Sequence, residues 1–301
     1  MIHEYDISLK DEIESRVKKL NYKDHNLSFT NMFMWRGKYK LNVHIEDDFI
    51  IIFSNLDEEK FSLNPICVIE NVDQAIEYLL KYFKDNNIPF RMYNVVQKVK
   101  LHIEKIYGDF FNYELDRDSF DYLYSVDKIL TYSGKKLQKK RNHVNNFKKT
   151  YEGRYEVKLI ENNPDVVKDC IAFTKAWDES KVEDRDEFID QEVYGTIDAL
   201  THFDQLSCEG LAIYIDNKLE AFSYGTQLND TTAVLNVEKA NPEIVGLYPF
   251  IRQTLVTTFF DDLKYINSED DVGDERLRKS KLSYRPEYLV EKYVITRSDE
   301  N

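Results

Sequence analysis

The run Leu211-Ala212-Ile213-Tyr214-Ile215-Asp216-Asn217-Lys218-Leu219-Glu220-Ala221-Phe222-Ser223-Tyr224-Gly225-Thr226-Gln227 decides the fold class. Two segments rich in β-branched and aromatic residues flank the polar turn Asp216-Asn217-Lys218, the pattern of a hairpin. A second turn, Leu228-Asn229-Asp230, sends the chain back through 231–237. The three strands read as an antiparallel meander. Beyond them, Leu247, Phe250, Ile251, Thr254 and Leu255 recur at helical spacing over 247–260. A strand at 264–267, a helix at 274–281 and a strand at 288–295 complete the segment.

The first half of the chain repeats this order. Leu41, Val43 and Ile45 alternate, Glu46-Asp47-Asp48 turns, and 49–53 returns. A strand at 65–70 follows, then a helix over 73–86 with Val72, Ile76, Leu79, Leu80 and Phe83 on one face, Asp73 placed to cap it and Ile88-Pro89 to stop it. A strand at 90–95, a helix at 97–107 and strands near Phe111 and Tyr122 finish the half. The order β-β-β-α-β-α-β thus occurs twice. It predicts an α+β protein of two similar domains, 1–126 and 152–301, each a mixed, mostly antiparallel sheet flanked by helices. A basic connecting helix, 127–151, joins them. Another helix begins at Asn163-Pro164, where Asn caps and Pro fits the first turn.

A length of 301 residues fits two domains, and 18 Phe with 21 Tyr supply enough apolar surface for real cores. The formal net charge of −14 repels polyphosphate on average, so any anion site has to be a local positive patch. Cys67, Cys170 and Cys208 are isolated, which argues against a disulfide framework or a cysteine-rich zinc site. The six histidines form no ligand motif, and no metal is expected. The first residues lack a signal-peptide pattern, and the apolar run 49–53 is too short to span a bilayer. The expectation is a cytoplasmic protein without stable membrane insertion; the sequence does not determine its oligomeric state.

Charge patterning then marks candidate sites. In 127–151, Leu130, Leu137 and Val144 give only a narrow apolar seam, surrounded by Lys135, Lys136, Lys139, Lys140, Arg141, His143, Lys148 and Lys149. With almost no acid to pair them, these cations read either as a solvated face or as contacts for an anionic ligand. The acid-rich segment Asp178, Glu179, Glu183, Asp184, Asp186, Glu187 and Asp190 reads as an exposed connection or as a wall for a cationic substrate. The strand 231–237 ends in Glu238-Lys239-Ala240 and crosses to Gly246, where a helix opens; free N–H groups at such a helix start suit an anion or a carbonyl. The next strand ends at Asn267 and leads to Glu269. Glu238 is the candidate base, with a salt bridge across the sheet as its structural alternative. Tyr248 and Tyr284 are candidate phenol donors, and Arg278, Lys281 and Arg285 candidate anion anchors.

Four strings carry a resemblance: Gly134-Lys135-Lys136-Leu137-Gln138-Lys139-Lys140-Arg141-Asn142-His143, Val237-Glu238-Lys239-Ala240, Asn267-Ser268-Glu269-Asp270-Asp271-Val272-Gly273 and Leu277-Arg278-Lys279-Ser280-Lys281-Leu282-Ser283-Tyr284-Arg285-Pro286. Over nearly its whole length the chain resembles a bacterial family similar to the C-terminal catalytic domain of phosphatidylglycerol lysyltransferases. The resemblance implies two tandem acetyltransferase-like (GNAT) folds and transfer of an aminoacyl group from a charged tRNA. Two departures bear on this. The large membrane-embedded part of the lysyltransferases has no counterpart in the sequence, which weakens the case for a lipid acceptor. The 238–247 segment offers only Gly246 where acetyl-CoA-dependent GNAT proteins carry a Gly-rich pyrophosphate loop, and it adds Glu243.

The expected activity is therefore acyl or aminoacyl transfer to an amine or hydroxyl, with acyl-CoA or aminoacyl-tRNA as donor. Glu238 and Tyr284 are the expected catalytic pair. Lys139, Lys140, Arg141, Lys239, Gly246, Tyr248, Asn267, Glu269, Arg278, Lys281 and Arg285 are the expected substrate and anion contacts. The alternatives are a non-catalytic binding module on the same fold, and CoA-dependent N-acetylation of a small amine.

Overall fold

The computed structural model describes residues 2–56, 59–179 and 187–300, with the side chains of 177–190 outside the description. The chain divides into two compact units. The first comprises Met1–Asp121, Asp270–Arg278 and Leu289–Asn301; the second comprises Tyr122–Glu269 and Lys279–Tyr288. These units are not the contiguous stretches expected, because the chain end returns to the first unit and the basic segment belongs to the second.

In the first unit, β1 (Ile2–Glu4), β2 (Leu41–Ile45), β3 (Ile50–Asn55), β4 (Lys60–Leu63), β5 (Arg91–Val96), β14 (Lys292–Arg297) and β6 (Phe111–Leu115) lie side by side in that order. Only β4 and β5 run parallel, with Ser62 opposite Met92, as the crossover helix α3 (Val72–Asp85) between them requires. Val72, Ala75, Ile76, Leu79 and Phe83 of α3 pack with Phe53, Met92 and, from α4 (Gln97–Tyr107), Val99 and Ile103 in one buried cluster. The strand expected at 65–70 lies earlier, at β4. Pro65 has no N–H to give a ladder, and the Val96 amide donates instead to the side-chain oxygen Oδ1 of Asn64. Asp73 sits in the first turn of α3 rather than capping it; Asn71 takes the cap position.

The second unit holds the meander: β9 (Glu209–Ile215), β10 (Lys218–Asn229) and β11 (Thr232–Ala240). Its sheet runs β13 (Tyr288–Val290), β7 (Asp121–Ser125), β12 (Tyr265–Asn267), β11, β10, β9, β8 (Tyr155–Leu159). Here too a crossover helix, α9 (Leu247–Phe259), joins a parallel pair, β11 and β12, with Val234 opposite Asn267. The single strand expected at 288–295 is two strands in different sheets, parted at Glu291. The stretch expected as one helix over 127–151 is broken as well. α5 (Val126–Thr131) ends where Tyr132 takes a left-handed conformation, Gly134 follows at φ +86°, and α6 (Gln138–Thr150) starts afresh. The packing helices α7 (Pro164–Glu179) and α8 (Glu187–Thr201) complete this unit, and α10 (Glu275–Ser283) precedes β13.

Candidate active site

Successive residues of a strand point to opposite faces of its sheet, and at the end of β11 this separates two charges. Lys239 is buried and pairs with Glu192 of α8 at 2.7 Å. Glu238 turns the other way and meets Arg252 of α9. Nε of Arg252 donates to one carboxylate oxygen at 2.9 Å and Nη2 to the other at 3.2 Å, a bidentate pair with both side chains about a tenth exposed. Burial works against the Arg252 charge, but Glu238 outweighs it, so the guanidinium stays protonated. Its Nη1 meets no acceptor in hydrogen-bonding geometry. Arg252 is the one charged residue in α9, whose remaining residues are apolar or uncharged. That contrast is the trace Arg252 leaves in the sequence, though its partner is not local.

Tyr284, just past α10, gathers the other groups. The Arg252 guanidinium carbon lies 4.2 Å from the centre of its ring, and the rings of Tyr124 and Tyr132 stand 6.3 Å away. Tyr124 donates its hydroxyl to the Lys281 carbonyl, and Tyr132 donates to the Pro249 carbonyl. Burial pushes all three phenols above their ordinary range, so each remains a protonated donor. Lys140 of α6 places Nζ 3.6 Å from the Tyr284 ring centre. Among the described residues it forms no ion pair. Burial, then the charges of Arg252 and Lys139, bring its pKa down to about 8 against the pull of Glu238. Burial, then the charge of Glu238, raises the pKa of half-buried Tyr248.

The structure therefore brings Glu238, Tyr284, Lys140 and Tyr248 together and adds Arg252, Tyr124 and Tyr132, which the sequence reading missed. It places the other candidates elsewhere. Lys139 is exposed, as are Lys135, Lys136, Lys148 and Lys149. Arg141 donates to the carbonyl of Tyr132 at 2.7 Å. Gly246, at φ +93°, starts α9 against α6, where a Cβ would collide with the carbonyl oxygen of His143. Asn267 is fully buried and accepts from the Glu269 amide at 2.7 Å, while the Glu269 carboxylate accepts from Asn236 at 3.5 Å. Lys281 donates to the Ser268 carbonyl at 2.6 Å. Arg285 is exposed and left-handed. Arg278 belongs to the first unit, where Asp271 holds it at 2.9 and 2.7 Å and Asp118 at 2.6 Å. The acid-rich segment 178–190 falls on side chains outside the description.

The first unit has its own buried charge cluster. Lys292 lies 2.8 Å from Asp24 and 2.6 Å from Asp121, with all three side chains inaccessible to solvent. Nδ1 of His25 approaches Asp121 at 2.7 Å, and the His25 amide donates to the same carboxylate at 2.8 Å. Asp24, His25 and Asp121 are spaced closely enough to offer ligand atoms to one metal ion, yet the Lys292 ammonium already stands among them and also donates to Asn26 at 2.6 Å. No helix among the described residues is long and apolar enough to cross a membrane.

Residues 17–296 match the model of the phosphatidylglycerol lysyltransferase C-terminal family. An uncharacterised protein of Mycoplasmoides gallisepticum is 27% identical over 182 residues; the match takes in 60% of this chain and 57% of that protein, so the chain spans little more than half of that relative's length. A conserved protein of unknown function from Bacteroides thetaiotaomicron superposes with a TM-score of 0.92 at 29% identity, covering 99% of both chains. The C-terminal domain of a putative lysylphosphatidylglycerol synthetase from Agrobacterium fabrum gives 0.68 at 12% identity, covering 95% of this chain and 92% of that one. A tandem GNAT protein of the clavulanic acid pathway gives 0.51 at 7% identity, covering 99% and 98%. The fold is tandem GNAT-like.

Proposed function

Because the chain belongs to the phosphatidylglycerol lysyltransferase C-terminal family, we propose that it transfers an aminoacyl or other acyl group from an activated donor to an amine or hydroxyl acceptor. The observation that carries this reading is the family match over nearly the entire chain. The donor is an aminoacyl-tRNA or an acyl-CoA, and the exposed lysines of α6 and the turn before it offer its phosphates a positive face on an acidic protein. The centre of the reaction is the Tyr284 cluster. There the Tyr248 and Tyr284 phenols are protonated donors for the developing oxyanion or the leaving group. Both oxygens of Glu238 are held by Arg252, so its part in this reading is to fix that guanidinium and to set the local field.

The test is a transfer assay with a labelled aminoacyl-tRNA panel and with labelled acetyl-CoA, against pooled amine and hydroxyl acceptors. A labelled product from an aminoacyl-tRNA, with donor binding that weakens by a log–log salt slope close to one unit per phosphate contact, is the expected result. Product from acetyl-CoA alone would make the chain an N-acetyltransferase. Binding of either donor without any product would make it a binding module.

A further inference from the structure

Among the cations of the second unit, Lys140 stands apart. Its neighbours on α6 are solvated or, like Arg141, satisfied by a carbonyl, whereas the Lys140 amine is half-buried and has no carboxylate partner among the described residues. The group beneath it is the face of Tyr284, and that ring already carries the Arg252 guanidinium. Glu238, the nearby acid, is fully engaged by Arg252. An ammonium in this setting has two remedies, an incoming anion or loss of its proton.

We propose that Lys140 is the proton acceptor of the transfer step. The neutral Nζ takes the proton of the acceptor's amine or hydroxyl as that atom bonds to the donor's carbonyl carbon. The bond from this carbon to the donor's ester oxygen or thioester sulfur then breaks, and the Lys140 ammonium returns the proton to that leaving atom. This assignment rests on the transferase reading above. Burial, Arg252 and the neighbouring exposed Lys139 favour the neutral amine, while Glu238 and the Tyr284 ring face favour the ammonium. With a pKa of about 8, roughly a tenth of the amine is neutral at pH 7, in the range where a general base operates well.

Two measurements on the full chain decide the matter. Trace labelling with acetic anhydride between pH 6.5 and 10.5, read by mass spectrometry, reports the titration of each lysine without needing activity. Lys140 is expected to label with a midpoint near pH 8, ahead of Lys135 and Lys139; labelling alongside them overturns the assignment. Transfer rates of Lys140→Arg and Lys140→Met are then followed against pH. Arginine keeps the charge and cannot release its proton, so kcat is expected to fall 100-fold or more with KM within threefold, and the limb near pH 8 to disappear. Melting curves confirm that both variants fold. A Lys140→Arg enzyme that retains the wild-type rate shows an anion anchor and overturns the proposal. Early labelling of Lys140 in a wild-type protein that transfers no group from any donor overturns the transferase reading itself, and this role with it.

Discussion

Arg252 of α9 grips both carboxylate oxygens of Glu238 on β11, at 2.9 and 3.2 Å, in a setting where each side chain is about a tenth exposed. Removing one partner strands the other charge in a low-dielectric site, which costs about 3–5 kcal/mol, whereas replacing both by apolar groups of similar volume is often close to neutral. Glu238→Gln and Arg252→Met are each expected to lower the urea midpoint sharply. The double variant Glu238→Leu/Arg252→Met is expected to recover most of the loss. Single losses that simply add in the double variant would show that the two residues are not coupled in this way.

Stability should depend on pH through the buried cluster of the first unit. Burial alone would lower the His25 pKa, but Asp121 at Nδ1, with Asp270 farther off, outweighs burial and Lys292 and raises it. A raised histidine stabilises the fold fully below its ordinary value of about 6.5 and ceases to do so as pH rises through the folded value. Asp121 is the opposite case: burial is overcome by His25 and Lys292, which hold it well below the usual carboxylate range. Its contribution is present above pH ~4 and is lost as pH falls through the folded value. Urea unfolding from pH 3 to 9 is expected to show both declines. His25→Gln should erase the alkaline one, and an alkaline decline that persists in His25→Gln would place its origin elsewhere.

The same cluster ranks its two buried carboxylates. Asp121 accepts from the His25 amide, from His25 Nδ1 and from Lys292, whereas one oxygen of Asp24 has no hydrogen-bond partner and burial raises its pKa. Losing a charged, fully bonded acceptor costs more than neutralising a poorly satisfied one. Asp121→Asn is therefore expected to destabilise by several kcal/mol, and Asp24→Asn, which leaves Lys292 paired with Asp121, by less. Equal losses in calorimetry would contradict the ranking.

How much of this was readable depended on range. The meander around Asp216-Asn217-Lys218 and the helices 97–107 and 247–260 were legible because alternation, turn residues and helical spacing are local signals. The apolar run from Tyr288 to Ile295 looks like one strand, and nothing local says that its two ends join different sheets. The Ser133-Gly134 break lay in plain view but was masked by the regular seam of Leu130, Leu137 and Val144. In the candidate site, Glu238 could be read because it ends a strand. Arg252 could not be read from periodicity, since a buried arginine in an apolar helix acquires its meaning from a partner fourteen residues away. Lys140 looked like one of eight similar cations, and only packing against Tyr284 distinguishes it.

Gly246 links backbone geometry to that distinction. Its φ of +93° is strained for any other residue, and the space beside its Cα is filled by α6: an added Cβ would strike the His143 carbonyl oxygen and lie 2.9 Å from its carbon. A backbone carbonyl cannot swing aside as a side chain can, so Gly246→Ala must either distort the start of α9 or push α6 outward. The strain alone amounts to about 1–3 kcal/mol. Because Lys140 sits one helical turn before this contact, outward movement of α6 also lifts its amine from the Tyr284 ring toward water. Gly246→Ala is expected to lower the urea midpoint and to move the labelling midpoint of Lys140 up toward that of the exposed lysines. Gly37→Ala, where an added methyl meets nothing within 4 Å, serves as the control and should change neither. A Gly246→Ala protein of reduced stability whose Lys140 still titrates near pH 8 would show that the glycine sets the fold of α9 without positioning the amine.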